Sequence, residues 1–256
     1  MKNRFRELLA SGRFLLGTHI CACDSSLTEA AGLCGFDYLW IDTEHTAIDY
    51  AVLQRHLIAA RAANTAAIVR IPWNDDILAK RVLEQGPDGI IIPMICSAEE
   101  ARRAVAACRY PPAGTRGYGP LRASDYGLVG CTEFAVRQPP VIVLQIEHRR
   151  AVENIDAILD TEGFDAVVFG PCDLSGSLGR LGALDDAELR GMIDLVLEKC
   201  RERGIPAGVS LGLAPAQTLL DWKARGVRFL STGNEYNFMQ QGAALLRQIF
   251  PKEAEK

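Results

Sequence analysis

The sequence predicts a (β/α)8 barrel in a single domain spanning residues 1–256. Three observations carry the prediction. Eight short apolar runs of strand character are spaced along the chain, segments of helical period lie between them, and no Pro/Gly/Ser linker or low-complexity block interrupts the alternation. Most runs are continuously apolar rather than alternating, the pattern of parallel strands covered on both faces. A length of 256 residues fits one barrel of about 250 better than two small domains.

The first run, FLLGTHI (residues 14–20), is followed by the helical segment SLTEAAGLCG, and the second, DYLWID (37–42), by DYAVLQRHLIAARAAN. AAIVRI (66–71) precedes DDILAKRVLEQG, and GIIIPM (89–94) precedes SAEEARRAVAACRY. Residues 111–140 are Gly-, Pro- and Arg-rich and too long for an ordinary connection, so a lid, binding loop or oligomer contact is expected there. VIVLQIE (141–147), DAVVFG (165–170), PAGVS (206–210) and RFLSTG (228–233) complete the eight, with DAELRGMIDLVLEKCRERG and AQTLLDWKARG as the last helical segments. Gly35, Gly86, Gly204 and Gly226 stand where helices should stop.

With 28 Lys+Arg against 32 Asp+Glu and a formal net charge of −4, the chain lacks the overall basic surface that nucleic-acid binding requires. Small-molecule partners are expected instead. The segment MKNRFRELLASGR has no apolar core of a secretory signal, and no stretch approaches the roughly 20 apolar residues of a membrane span. A cytoplasmic protein without membrane contact is therefore expected. Eight cysteines are spaced irregularly and form no CxxC, which predicts reduced thiols packed as small apolar residues.

In such a barrel, chemistry gathers at the C-terminal ends of the strands. There the sequence places Asp42, Thr43, Glu44 and His45 after the second run, Arg70 after the third, Gln145 and Glu147 on the fifth, and Asp173 after the sixth. Taken singly, each reads as a helix cap, a packing residue or half of an ion pair. Together they describe a convergent polar mouth. Glu147 and Asp173, 26 residues and one βα unit apart, have the spacing of carboxylates that hold Mg2+ or Mn2+ with positions left for substrate. A metal-free acid/base pair is the competing reading. Asp42 and His45 could form a dyad in which the carboxylate orients the imidazole, and Arg70 brings a cation suited to a carboxylate, phosphate or enolate oxygen. All six lysines fall in predicted helices or at the termini, so imine catalysis is disfavoured and a metal is left as the electron sink. Gly117 and Gly119 lack the rest of a dinucleotide fingerprint, and no P-loop or GxSxG occurs.

The segments GFDYLWIDTEH (35–45), IVRIPWND (68–75), GIIIPM (89–94), RYPPAGTRGYG (109–119), LQIEHRRAVENIDAIL (144–159) and GFDAVVFGPCDLS (163–175), in that order, resemble the HpcH/HpaI aldolase family over roughly residues 5–245. The resemblance implies a class II pyruvate aldolase that uses Mg2+, Mn2+ or Co2+. It also implies a barrel whose last helix is exchanged with a neighbour, and a homo-oligomer, hexamer or trimer. The substrates implied are pyruvate and an aldehyde, or a 4-hydroxy-2-oxo acid. By position, His45 matches the catalytic base, Asp42 its dyad partner, Arg70 the enolate-stabilising arginine, and Glu147 and Asp173 the metal ligands. Gln145 matches a substrate-binding glutamine, and the backbone N–H groups of Cys172 and Asp173 match those that receive the pyruvate carboxylate. Glu84 stands where relatives carry an Asp supporting the base across a subunit contact. His19 replaces a Trp, which predicts a smaller, more polar and titratable wall. Gly233, Asn234 and Glu235 depart from the family pattern, and the loop RGYGPLRASDYG is about two residues short. Arg116 and Arg122 in that loop are candidates for the far end of the aldehyde, or for interface ion pairs. The alternatives are a related lyase acting on a CoA thioester or another 2-oxo acid, and a catalytically silent binding subunit.

Overall fold

The computed structural model describes residues 3–135 and 139–250. Its eight strands are β1 Leu15–Ile20, β2 Tyr38–Asp42, β3 Ala66–Arg70, β4 Gly89–Ile92, β5 Val141–Ile146, β6 Ala166–Phe169, β7 Ala207–Leu211 and β8 Phe229–Asn234. They close in sequence order, β8 returning to β1, and every pairing is parallel. The predicted (β/α)8 barrel is the observed fold. Every residue of β2 to β6 is buried, which is why those runs are apolar without alternation.

The helices are α1 Arg4–Ala10, α2 Ser25–Leu33, α3 Tyr50–Ala62, α4 Asp76–Leu83, α5 Ala98–Cys108, α6 Cys131–Ala135, α7 Arg149–Glu153, α8 Ile155–Leu159, α9 Pro171–Ser177, α10 Ala187–Glu202, α11 Ala216–Ala224 and α12 Glu235–Ile249. Asp24, Asp49, Asp75, Ser97 and Asp186 each precede a helix and accept backbone N–H bonds of its first turn, satisfying donors that have no partner inside the helix. The four glycines expected to stop helices all have positive φ. The segment 111–140 holds a 3-10 turn, Arg122–Ser124, and α6 in place of a plain loop.

Two apolar layers result. The larger lies between strands and helices, and the smaller fills the barrel interior. At the N-terminal end α1 inserts Phe5, fully buried, with its ring centroid 5.1 Å from Tyr38 and 5.9 Å from Phe229. The glycines of β1 and β7 make room for this plug: a Cβ at Gly17 would lie 2.5 Å from the Tyr38 ring, and one at Gly208 2.2 Å from Phe229. Rings buried this fully are worth about 3–5 kcal/mol relative to alanine. One end of the barrel is thus sealed, and chemistry is confined to the other.

All eight cysteines are free, but only Cys96, Cys108 and Cys200 are buried. Cys23, Cys34, Cys131 and Cys172 are exposed, which corrects the expectation of uniform core packing: these four sit in loops or at helix ends. Lys80, Lys199 and Lys223 lie in outer helices, while Lys2, Lys252 and Lys256 lie outside the described residues. None of α12 is buried, and Met239, Leu245, Leu246, Ile249 and Phe250 on and just after it are exposed. Among the described residues no helix is long and apolar enough to cross a membrane.

Candidate active site

A cavity of about 660 Å³ opens at the C-terminal ends of the strands, lined by residues that include His19, Asp42, His45, Arg70, Gln145 and Asp173. Glu147 follows β5 directly and is only 3% exposed. Its Oε1 accepts the Met94 N–H at 2.8 Å, and its Oε2 accepts Gln145 Nε2. Gly170, at the end of β6, leaves the space this carboxylate occupies, because a Cβ there would stand 2.6 Å from Glu147 Oε2. Asp173 lies in the first turn of α9 and is exposed, as is Cys172 beside it. Gln145 is buried, and its Oε1 has no hydrogen-bond partner.

Arg70 ends β3 directly beside Asp42, its register partner on β2. Its guanidinium grips Asp42 through Nε to Oδ1 at 3.0 Å and Nη2 to Oδ2 at 2.7 Å, with Nη1 3.1 Å from Glu44 Oε2. The Trp40 ring lies 5.4 Å away. Burial favours a neutral Asp42, yet the bonds and charge of Arg70 outweigh it and hold this carboxyl below its ordinary range.

This arrangement corrects the expected Asp42–His45 dyad. Asp42 bonds the guanidinium fork through both oxygens and also accepts the Glu44 N–H at 3.0 Å, and no hydrogen bond joins it to His45. His45, its side chain 65% exposed, stands instead with Nε2 3.6 Å from Glu44 Oε2. Glu44, which the sequence placed at the strand end without assigning it a role, therefore stands between His45 and Arg70, two residues that line the mouth.

Two carboxylates, those of Asp42 and Asp173, line the cavity with Arg70, and those of Glu44 and Glu147 stand behind that lining, against Arg70 and Gln145. Burial pushes Glu147 up to about 7, with Glu44 and Asp173 adding to the shift. Burial likewise pushes Glu44 up to about 7, against the opposing charge of Arg70. An electron-rich mouth of hard oxygen donors fits a divalent cation. Among the described residues no three His, Cys, Asp or Glu side chains form a ligand group, so a bound ion would need water or substrate oxygens to complete its coordination.

His19 is hydrogen-bonded on both sides, Nδ1 to the Gly233 carbonyl at 2.9 Å and Nε2 to Ser210 Oγ at 2.8 Å, with Trp40 tilted against it at 5.3 Å. Burial lowers it to about 4, so the wall expected to be titratable is neutral near pH 7. Below about pH 6.5 the unfolded chain protonates this imidazole, while the native state resists until about pH 4. Stability is therefore lost as pH falls across that window, on the order of 3 kcal/mol. Urea midpoints at pH 6.5 and 4.5 should lie closer together in His19→Gln than in the wild type; an identical separation would contradict the buried neutral imidazole.

Glu84, Arg116 and Arg122 do not line this cavity. Arg116 Nη2 binds Glu84 Oε1 at 2.9 Å and its guanidinium stacks 4.6 Å from the Tyr110 ring, while Arg122 Nη1 donates to the Gln85 carbonyl. Both arginines line a separate cavity of about 480 Å³ that includes Asp88 and Pro140, beside the starts of β4 and β5. The cause is the loop path: Thr115 and Arg116 donate backbone bonds to α5 and its C-cap, and Ala123 donates to the Glu84 carbonyl, so the segment folds back along α4 and α5. Within one chain, therefore, neither arginine reaches the mouth.

Sequence reasoning also missed Trp40, Ser210 and Glu235. Glu235 opens α12 and accepts the backbone N–H groups of Cys21 at 3.0 and 3.1 Å and of Ala22 at 3.3 Å, tying the exit of β8 to that of β1. The only signal for it was the departure noted at Gly233–Glu235.

Residues 16–236 match the family model described as HpcH/HpaI aldolase/citrate lyase. The chain belongs to that family. It is 34% identical over 252 residues to a 5-keto-4-deoxy-D-glucarate aldolase of Citrobacter koseri, covering 98% of this chain and 97% of that protein. The crystal structure of an HpcH/HpaI aldolase from Desulfitobacterium hafniense DCB-2 superposes with a TM-score of 0.90 at 29% identity, over 98% of each chain. A citrate synthase, SbnG, superposes at 0.83 with 26% identity, over 98% of this chain and all of that one. Membership in this family of aldolases and lyases makes the chain a carbon–carbon lyase.

Proposed function

We propose that the protein is a divalent-metal-dependent class II aldolase that cleaves or forms 4-hydroxy-2-oxo acids through a pyruvate enolate, with an aldehyde as second product. The observation that carries this reading is the buried Glu147 carboxylate, packed against Gln145 and Gly170 of the cavity that Asp173 and Arg70 also line. When bound to Glu147 and Asp173, Mg2+, Mn2+ or Co2+ supplies Lewis-acid stabilisation of the negative charge that develops on the keto oxygen. Arg70, its guanidinium fixed by Asp42 and Glu44, adds a permanent cation on the same side. The first N–H groups of α9, at Cys172 and Asp173, have no acceptor inside the helix and receive the substrate carboxylate, and Gln145 binds from the barrel side. His45, exposed and beside Glu44, takes the 4-hydroxyl proton as the C3–C4 bond breaks. The bond's electrons form the enolate, and protonation at C3 gives pyruvate.

The uncovered apolar residues on and after α12 support assembly as a homo-oligomer, hexamer or trimer, with that helix packed on a neighbour. In such an assembly Glu84, Arg116 and Arg122 would be available to another subunit.

The test is pyruvate release from a panel of 4-hydroxy-2-oxo acids, coupled to NADH oxidation by lactate dehydrogenase, with Mg2+ or Mn2+ and then with EDTA. Release that falls at least ~100-fold in EDTA is expected, since a Lewis acid is worth several kcal/mol. Release that survives EDTA would overturn the metal, and silence across the panel would overturn the aldolase.

A further inference from the structure

We propose that Ser210 is a specificity-determining residue of this mouth, held by His19 as a pure hydrogen-bond acceptor, and that it selects substrates whose aldehyde portion carries a hydroxyl beyond the carbonyl carbon. The inference rests on the aldolase reading above and adds the substrate class.

Gly233 O lies 2.9 Å from His19 Nδ1, and a carbonyl oxygen can only accept, so Nδ1 carries the imidazole proton. A neutral imidazole has one donor, and burial keeps this one neutral. Nε2 is then an acceptor, and at 2.8 Å it takes the only hydroxyl proton Ser210 has. The remaining valence of Ser210 Oγ is lone pairs alone. Because Ser210 lines the cavity together with Asp42, Arg70 and Asp173, a substrate group that meets it must donate. A carboxylate, a carbonyl or an alkyl chain cannot; a hydroxyl can.

The sheet itself builds this relay. Between β1 and β8 the register shifts: Gly17 pairs with Ser231 but His19 with Asn234, so β8 carries one extra residue. Such a bulge re-aims the groups beside it. Here Gly233, at φ 63°, brings its carbonyl to both Thr18 Oγ1, at 3.0 Å, and His19 Nδ1. The imidazole is also backed by the Trp40 ring, so the ring that orients Ser210 is fixed on three sides. His19 is a positioning residue and Ser210 the contact.

The experiment compares kcat/KM for 4,5-dihydroxy-2-oxopentanoate, which yields glycolaldehyde, with that for 4-hydroxy-2-oxopentanoate, which yields acetaldehyde. The wild type should prefer the dihydroxy acid, and Ser210→Ala should reduce that preference about tenfold, the scale of one hydrogen bond. His19→Phe should reduce it similarly. His19→Gln, whose amide oxygen can accept from Ser210, should restore most of it, a rescue that a merely structural role would not give. An unchanged preference in Ser210→Ala, or equal losses on both acids, would overturn the inference while leaving the aldolase in place. Silence of the wild type towards both would overturn the aldolase reading and this inference with it.

Discussion

Glu147→Gln is expected to lower metal-dependent pyruvate release by about 1000-fold or more while leaving the fold intact. The loss follows from charge: one of two carboxylates able to hold the ion becomes a neutral amide, and the Lewis acid's contribution of several kcal/mol goes with it. The fold survives because both neighbours can adapt. The new amide oxygen can keep the Met94 N–H bond made by Oε1. The new NH2 then faces Gln145, whose Oε1 is unpartnered and can turn to accept it. The pH dependence separates chemistry from packing. Burial raises the native carboxyl to about 7, above its ordinary value near 4.5, so in metal-free protein this group costs stability as pH rises through that interval. At pH 8 in EDTA the variant should therefore melt at or above the wild-type temperature, and calorimetric titration should show weakened Mn2+ binding. Near wild-type turnover in the variant would remove Glu147 from the metal site.

How far the sequence could be read depended on whether a property was local. The strands were legible because residues such as Tyr38–Asp42 and Ala66–Arg70 are buried on both faces and must be apolar throughout. Helix C-terminal ends were legible because the glycines that stop them act on their own neighbours. The polar mouth followed from these, since strand ends mark the functional face of a barrel. Pairings were not legible. Asp42 and Arg70 are 28 residues apart and meet only because β2 and β3 pair in that register. The tautomer of His19 depends on a bulge in β8, and the withdrawal of Arg116 and Arg122 depends on the path of a loop whose backbone bonds run to α4 and α5. The spare room at Gly17 and Gly208 answers rings on other strands.

His45→Ala is expected to cost 100- to 10,000-fold in retro-aldol rate, the usual worth of a positioned base. The more informative measurement is which carboxylate shares that loss. If Asp42 oriented the imidazole, removing it after the base was gone would cost nothing further. In this structure Asp42 binds Arg70 through both oxygens and makes no bond to His45, so Asp42→Asn should act by loosening the guanidinium, with a loss of about 10- to 100-fold from bonds to a charged group. That loss should persist in the His45→Ala background, because the two changes touch different groups. Glu44 stands 3.6 Å from His45 and 3.1 Å from Arg70, so part of the cost of Glu44→Gln should disappear once His45 is absent. Double-mutant cycles read the two couplings directly. Near-additive Asp42/His45 and clearly sub-additive Glu44/His45 cycles are the expected pair of results. The reverse would mean that substrate binding redraws the mouth and hands Asp42 back to the imidazole, leaving Arg70 free for the enolate.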